Sequence, residues 1–162
     1  GLESFPLRMA RHCENAAIVA EYLADHDDVA WVAYPGLESH ETHDNASEYL
    51  DGGESSGARR ASADGSSAGG YGGMVAFGLE SGFEAGKRFC ESVDLASFLA
   101  NVGDAKTLVI HPASTTHAQL SPDEQRAAGV SPDLVRLSVG VEDPADLLAD
   151  LDSAIAEASA QS

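Results

Sequence analysis

Residues 101–140 read NVGDAKTLVIHPASTTHAQLSPDEQRAAGVSPDLVRLSVG, and this stretch decides the architecture. Two short β-type runs, Thr107–Ile110 and Val135–Val139, bracket a polar loop and a short helix signature. The second run alternates cleanly. Val135, Leu137 and Val139 share one face, and Arg136, Ser138 and Gly140 share the other. An arginine in mid-strand, opposite the apolar stripe, has an anion to hold, and its planar fork suits a carboxylate in bidentate fashion. A structural salt bridge within the chain meets that need as well as a ligand does. On the strand alone the structural ion pair is favoured, because such pairs outnumber functional ones.

Between the two runs, Ser121-Pro-Asp-Glu is a helix start, with Ser121 as N-cap, Pro122 in the first position and Glu124 as the capping-box partner. Gly129-Val-Ser-Pro-Asp is a turn into the arginine strand. Beyond it, Asp143-Pro144 caps a last helix, Ala145–Ala158, with an apolar stripe of Leu147, Leu148, Leu151 and Ile155. Asp146, Asp150 and Asp152 are expected to face solvent.

Upstream, Glu3–Ala24 reads as a helix, with Phe5, Met9, His12 or Cys13, Ala16, Ala20 and Leu23 at helical spacing and Pro6 in its first turn. Val29–Tyr34 is a strand stopped by Pro35-Gly36, and Glu41–Leu50 is a short polar helix. Residues 51–70, DGGESSGARRASADGSSAGG, bury too little apolar surface to offset their ordering entropy and read as a flexible insertion. Gly73–Leu79 is a second strand, and Gly82–Leu99 is a helix carrying Phe83, Phe89, Val93 and Leu95. About four strands alternate with helices. The expected class is α/β (α+β), with a mostly antiparallel small sheet and helices mainly on one face.

The chain has 162 residues, 27 acidic against 9 basic, and a net charge of -18. A charge this negative repels nucleic acid and anionic membranes. The acids are dispersed and only Lys87 and Lys106 are lysines, a pattern expected of a protein adapted to a salt-rich, halophilic cytoplasm. Cys13 and Cys90 are isolated and no N-terminal signal is present, so both read as buried free thiols of a reducing, cytoplasmic compartment. No run reaches transmembrane length. Without an initiating methionine, and with Gly1 opening almost directly into a helix, the chain is expected to start inside something larger.

Two constellations could carry chemistry unaided. His40 and His43 stand three apart, a spacing that can place both on one helical face for a metal, but no third ligand is evident and solvated loop histidines are favoured. His111 and His117 flank Ser114, Thr115 and Thr116, with Asp104 nearby in sequence. A nucleophilic triad can be drawn, but no nucleophile elbow supports it, and a polar loop bonded to its own backbone is favoured.

The strings LANVGDAKTLVIHPASTTHAQLS and GVSPDLVRLSVGVEDPADLLADLDSAI resemble the Cys/Met-metabolism enzymes that depend on pyridoxal 5'-phosphate (PLP). GLESFPLRMARHCENAAIVAEYL and VAYPGLESH resemble the same family in the same order, leaving the Gly/Ser stretch as the gap. Asn101-Val-Gly-Asp-Ala-Lys is similar to the O-acetylhomoserine sulfhydrylase branch, whereas the cystathionine γ-synthase and γ-lyase branches more often carry Ser-Leu-Gly there.

The resemblance implies the small C-terminal domain of PLP-dependent fold type I at residues 29–162, preceded by a connecting helix at 1–28. It implies a γ-replacement in which acetate leaves and sulfide or a thiol adds, with PLP as electron sink. It implies that Arg136 binds the substrate α-carboxylate, that Asn101 contacts the substrate or the catalytic lysine, and that the Ser114–His117 loop, Thr116 included, shapes the pocket. The family's cofactor-bearing large domain would precede Gly1. Neither Lys87 nor Lys106 has a setting suited to an imine with PLP, so the chain is expected to contribute substrate contacts only. The family pattern further implies a homo-oligomer, a tetramer as full enzyme. A non-catalytic domain that acts only with a separate large-domain chain, or a small-ligand binding module of the same shape, are the competing expectations.

Overall fold

The computed structural model describes residues 3–50 and 70–160. The Gly/Ser-rich insertion read at 51–70 therefore lies almost wholly outside the described residues. Strands β1 (Val29–Ala33), β2 (Met74–Leu79), β3 (Ser97–Phe98), β4 (Leu108–Ile110) and β5 (Leu134–Ser138) form one sheet in the order β1-β2-β5-β4-β3. The pairings β1–β2, β2–β5 and β4–β5 are antiparallel, and β3–β4 is parallel. The expected class and mostly antiparallel character hold, with five strands in place of about four.

Helices α1 (Phe5–Ala24), α3 (Gly82–Ser92) and α5 (Pro144–Ser159) supply the apolar layer over one sheet face. Val75, Phe77 and Leu79 of β2, Val109 of β4, and Val135 and Leu137 of β5 point into that layer and are buried. They meet Val19 and Leu23 of α1, Phe89 of α3, and Leu147, Leu151 and Ile155 of α5. Phe77 and Phe89 pack edge to face at 5.3 Å between ring centres. Helices α2 (His43–Tyr49) and α4 (Pro122–Ala127) are short, and α4 begins with the full Ser121/Glu124 capping box.

Three expectations are corrected. The helix begun at Gly82 ends at Ser92, because Val93 turns to an extended conformation (φ -69°, ψ 137°). The following backbone is then captured from across the fold: the Asp150 carboxylate accepts the N–H groups of Asp94, Leu95 and Ala96 at 2.8, 3.0 and 3.0 Å. Asp150 is thus half-buried and structural where solvent exposure was expected, and the segment it holds leads into the unforeseen edge strand β3. Third, Cys90 is buried but Cys13 is only half-buried, one position off the His12–Ala16 line that α1 presents to the core.

A buried polar seam joins α1 to the end of β5. The His12 ring bonds the Val139 carbonyl through Nδ1 at 2.6 Å, and Asn15 Nδ2 donates to the carbonyls of Gly140 and Glu142 at 3.1 and 2.9 Å. This fixes where the arginine strand ends relative to α1. Among the described residues no helix is long and apolar enough to cross a membrane.

Candidate carboxylate-binding site

The sheet face away from the core helices carries Arg136. Its register neighbours are Ala76 on β2 and Ile110 on β4, and Ala33 lies beyond Ala76 on β1. None of these can neutralise a guanidinium, and the two alanines leave space beside it. Among the described residues no carboxylate stands within 4.0 Å of Arg136; the ion pairs found are Arg11–Glu14, His26–Asp152 and Arg126–Asp123. Its Nη2 donates to the Asn101 carbonyl at 3.4 Å, a long contact, and its Nε is buried with no hydrogen-bond partner among the described residues. A buried charged donor without a partner is costly, and an incoming carboxylate removes that cost. The structural salt bridge favoured by the strand alone is absent among the described residues.

Asn101 reaches this place through the edge of the sheet. Leu99, just after β3, donates its N–H to the Val109 carbonyl at 3.2 Å, and Asn101 donates to Leu99 at 3.1 Å. The chain then turns at Gly103, whose φ of +74° favours glycine. Residues 101–106 are exposed, and Asn101 meets Arg136 through its backbone carbonyl. Phe98, Leu99 and Val102 are exposed around it, at 44, 55 and 57%.

Among the described residues no hydrogen bond joins Thr116 to this pair. It is exposed on the loop that follows the 3-10 turn Pro112–Ser114, and its Oγ1 is paired with His117 Nδ1 at 2.9 Å. His111 is fully buried, and its Nε2–H donates to the Pro132 carbonyl at 2.8 Å. With that tautomer its Nδ1 accepts from Ser114 Oγ at 2.9 Å. No carboxylate orients the imidazole as in a triad, and burial lowers its pKa. Thr115 Oγ1 turns back to the His111 carbonyl at 2.8 Å. The loop is thus bonded to itself. His40 Nδ1 is paired with Thr42, and His43 bonds the Pro35 carbonyl and Ser47. Among the described residues no three His, Cys, Asp or Glu side chains are grouped to hold a metal.

PLP needs a lysine for its imine and donors for its phosphate. Lys106 is exposed in the loop before β4, and Lys87 is half-buried on α3, a helix that packs against the opposite face of the sheet from Arg136. Among the described residues, Arg136 presents donors of the kind a carboxylate accepts from, and Lys87 lies on the other side of the sheet.

A family model described as Cys/Met metabolism PLP-dependent enzyme matches residues 1–156. The chain is 49% identical over 156 residues to O-acetyl-L-homoserine sulfhydrylase 1 of Thermus thermophilus, covering 96% of this chain and 33% of that protein. It is 46% identical over 155 residues to homocysteine synthase of Schizosaccharomyces pombe, covering 96% and 32%. It is 39% identical over 155 residues to an L-methionine gamma-lyase of Fusobacterium nucleatum, covering 96% and 35%. A solved structure of an O-acetylhomoserine (thiol)-lyase from Campylobacter jejuni, holding N'-pyridoxyl-lysine-5'-monophosphate, superposes with a TM-score of 0.78 at 37% identity, covering 96% of this chain and 33% of that one. The chain therefore spans about a third of the length of the relatives it matches. On the family match and these identities, the chain belongs to the Cys/Met-metabolism PLP-dependent enzyme family.

Proposed function

We propose that this chain is the C-terminal portion of an O-acetylhomoserine sulfhydrylase-like enzyme and supplies the site for the substrate α-carboxylate. The observation that carries the reading is Arg136, held in mid-strand with, among the described residues, no carboxylate neighbour and no partner for its buried Nε. Its guanidinium holds the amino acid by the carboxylate, and Asn101, whose carbonyl steadies one end of the fork, lines the same surface. Positioning is the work assigned to this chain, because fixing one end of a substrate fixes which of its protons faces a base. The reaction served is replacement at the γ carbon by sulfide or a thiol. Elimination at that carbon, the lyase alternative, draws on the same carboxylate anchor.

In this reading the cofactor's lysine and phosphate donors belong to a large domain outside these residues, and the isolated chain is inactive. Phe5 and Leu7 at the start of α1 are 49 and 79% exposed, which supports a chain that works joined to more protein. The dispersed acidity fits a salt-rich cytoplasm.

Arg136→Ala in the complete enzyme tests the assignment. Losing a bidentate carboxylate partner weakens amino-acid substrate binding by ~2–4 kcal/mol. Unchanged KM and kcat contradict it.

A further inference from the structure

We propose that Ser138 is a positioning residue for Arg136, acting through the turn at 101–103; the proposal rests on the carboxylate reading of Arg136. Ser138 and Arg136 stand two apart on β5 and therefore share the same sheet face. Ser138 is 3% exposed, and its Oγ accepts the Gly103 N–H at 3.1 Å. One position before that glycine's neighbour, the Asn101 carbonyl accepts from Arg136 Nη2 at 3.4 Å. The 101–103 turn thus lies across two successive outward residues of β5, tied once to each.

The two ties are unequal. The contact to Arg136 is near the outer limit of a hydrogen bond, so it cannot hold an exposed loop alone. The loop's other anchors are at its ends, where Leu99 bonds Val109 and the Ala105 carbonyl accepts from Val141. Between these ends, among the described residues, Gly103–Ser138 is the shorter bond to the sheet. Exposed segments with few bonds open readily. Removing the Ser138 hydroxyl frees the turn, and the Asn101 carbonyl leaves with it. The guanidinium then loses the acceptor that restrains one of its nitrogens, and it must be ordered again each time a carboxylate binds.

The test uses Ser138→Ala, Ser138→Cys and Ser138→Thr in the complete holoenzyme, with Arg136→Ala as reference. Cysteine keeps nearly the serine's size but is a weak acceptor, which covers the case in which the alanine variant does not fold. Threonine keeps the hydroxyl. Losing one hydrogen bond's worth of restraint raises KM for the amino-acid substrate about five- to tenfold in the alanine and cysteine variants, with kcat within about twofold. Threonine restores KM. In the same proteins, hydrogen exchange at the Gly103 amide accelerates in the alanine and cysteine variants and slows again in the threonine variant. Faster Gly103 exchange with an unchanged KM, or a fall in thermal stability and kcat alone, overturns the positioning role and leaves Ser138 structural. An unchanged KM in Arg136→Ala overturns instead the carboxylate reading on which the proposal stands.

Discussion

Thr107 and Glu142 are joined twice. The Glu142 carboxylate accepts the Thr107 backbone N–H at 2.6 Å and the Thr107 hydroxyl at 2.8 Å. The same hydroxyl accepts the buried Gly140 N–H at 2.8 Å. A Cβ on Gly140 would stand 2.2 Å from Glu142 Oε2 and 2.5 Å from both the Ala105 carbonyl oxygen and the Thr107 nitrogen, so the backbone there has no spare room. This ring closes the far end of the loop that carries Asn101 onto the end of β5.

Thr107→Val therefore leaves the buried Gly140 N–H without its acceptor and takes one of the Glu142 bonds away. It lowers unfolding free energy by about 2–3 kcal/mol, while Thr107→Ser, which keeps the hydroxyl, stays within about 1 kcal/mol of the parent. Denaturant unfolding at high salt measures both, and equal losses in the two variants would show that the hydroxyl carries nothing.

Trp31 and Asp133 clasp across Gly78. The indole N–H donates to the Asp133 carboxylate at 2.6 Å, over a position where a Cβ would lie 2.0 Å from Asp133 Oδ2 and 2.2 Å from Trp31 Nε1. Gly78→Ala pushes the pair apart and lowers stability by about 1–2 kcal/mol. Trp31 is the sole tryptophan, so its emission shifts to the red as the indole gains solvent. In a Trp31→Phe background the glycine substitution costs clearly less; full additivity would separate Gly78 from the clasp.

His111 gives a pH signature. Desolvation lowers its folded pKa from the ordinary 6.5, outweighing the opposing effects of the Pro132 bond and of Asp133 and Glu84. The unfolded chain therefore takes up this proton first as pH falls. Stability from neutral His111 is full above about pH 6.5 and declines below it until the folded pKa is reached, at a slope of at most ~1.4 kcal/mol per pH unit. The many carboxylates also titrate at the acid end, so the readout is a difference. Parent minus His111→Gln falls between pH 7 and 5, and a flat difference would remove His111 from the account.

The parts of the fold written into short windows were legible. The alternation over Val135–Val139 placed Arg136 on the open face, and Ser121-Pro-Asp-Glu specified the capping box. Strand β3 was not legible, because two residues have no periodicity and Ser97–Phe98 is defined only by its pairing with β4. The end of α3 was missed because the competing contact comes from Asp150, 54 to 56 positions away. His12 was readable as one of an apolar stripe, but its bond to Val139 needs the whole fold. At the site, the spacing gave the face of Arg136 and could not say whether a carboxylate of the same chain lay beside it; the register with Ala76 and Ile110 answers that. Asn101 came from family resemblance alone, and Ser138 was read only as a face-mate of the arginine.

The central claim is that these residues hold the carboxylate side of a pocket and not the cofactor's lysine. Treating the purified chain with PLP at high salt, reducing with borohydride and mapping the product by mass tests it most directly. The account predicts no adduct, or a scattered substoichiometric one over exposed amines. A single stoichiometric pyridoxyl group on Lys87 or Lys106 would contradict it, because the chain would then carry a cofactor site of its own.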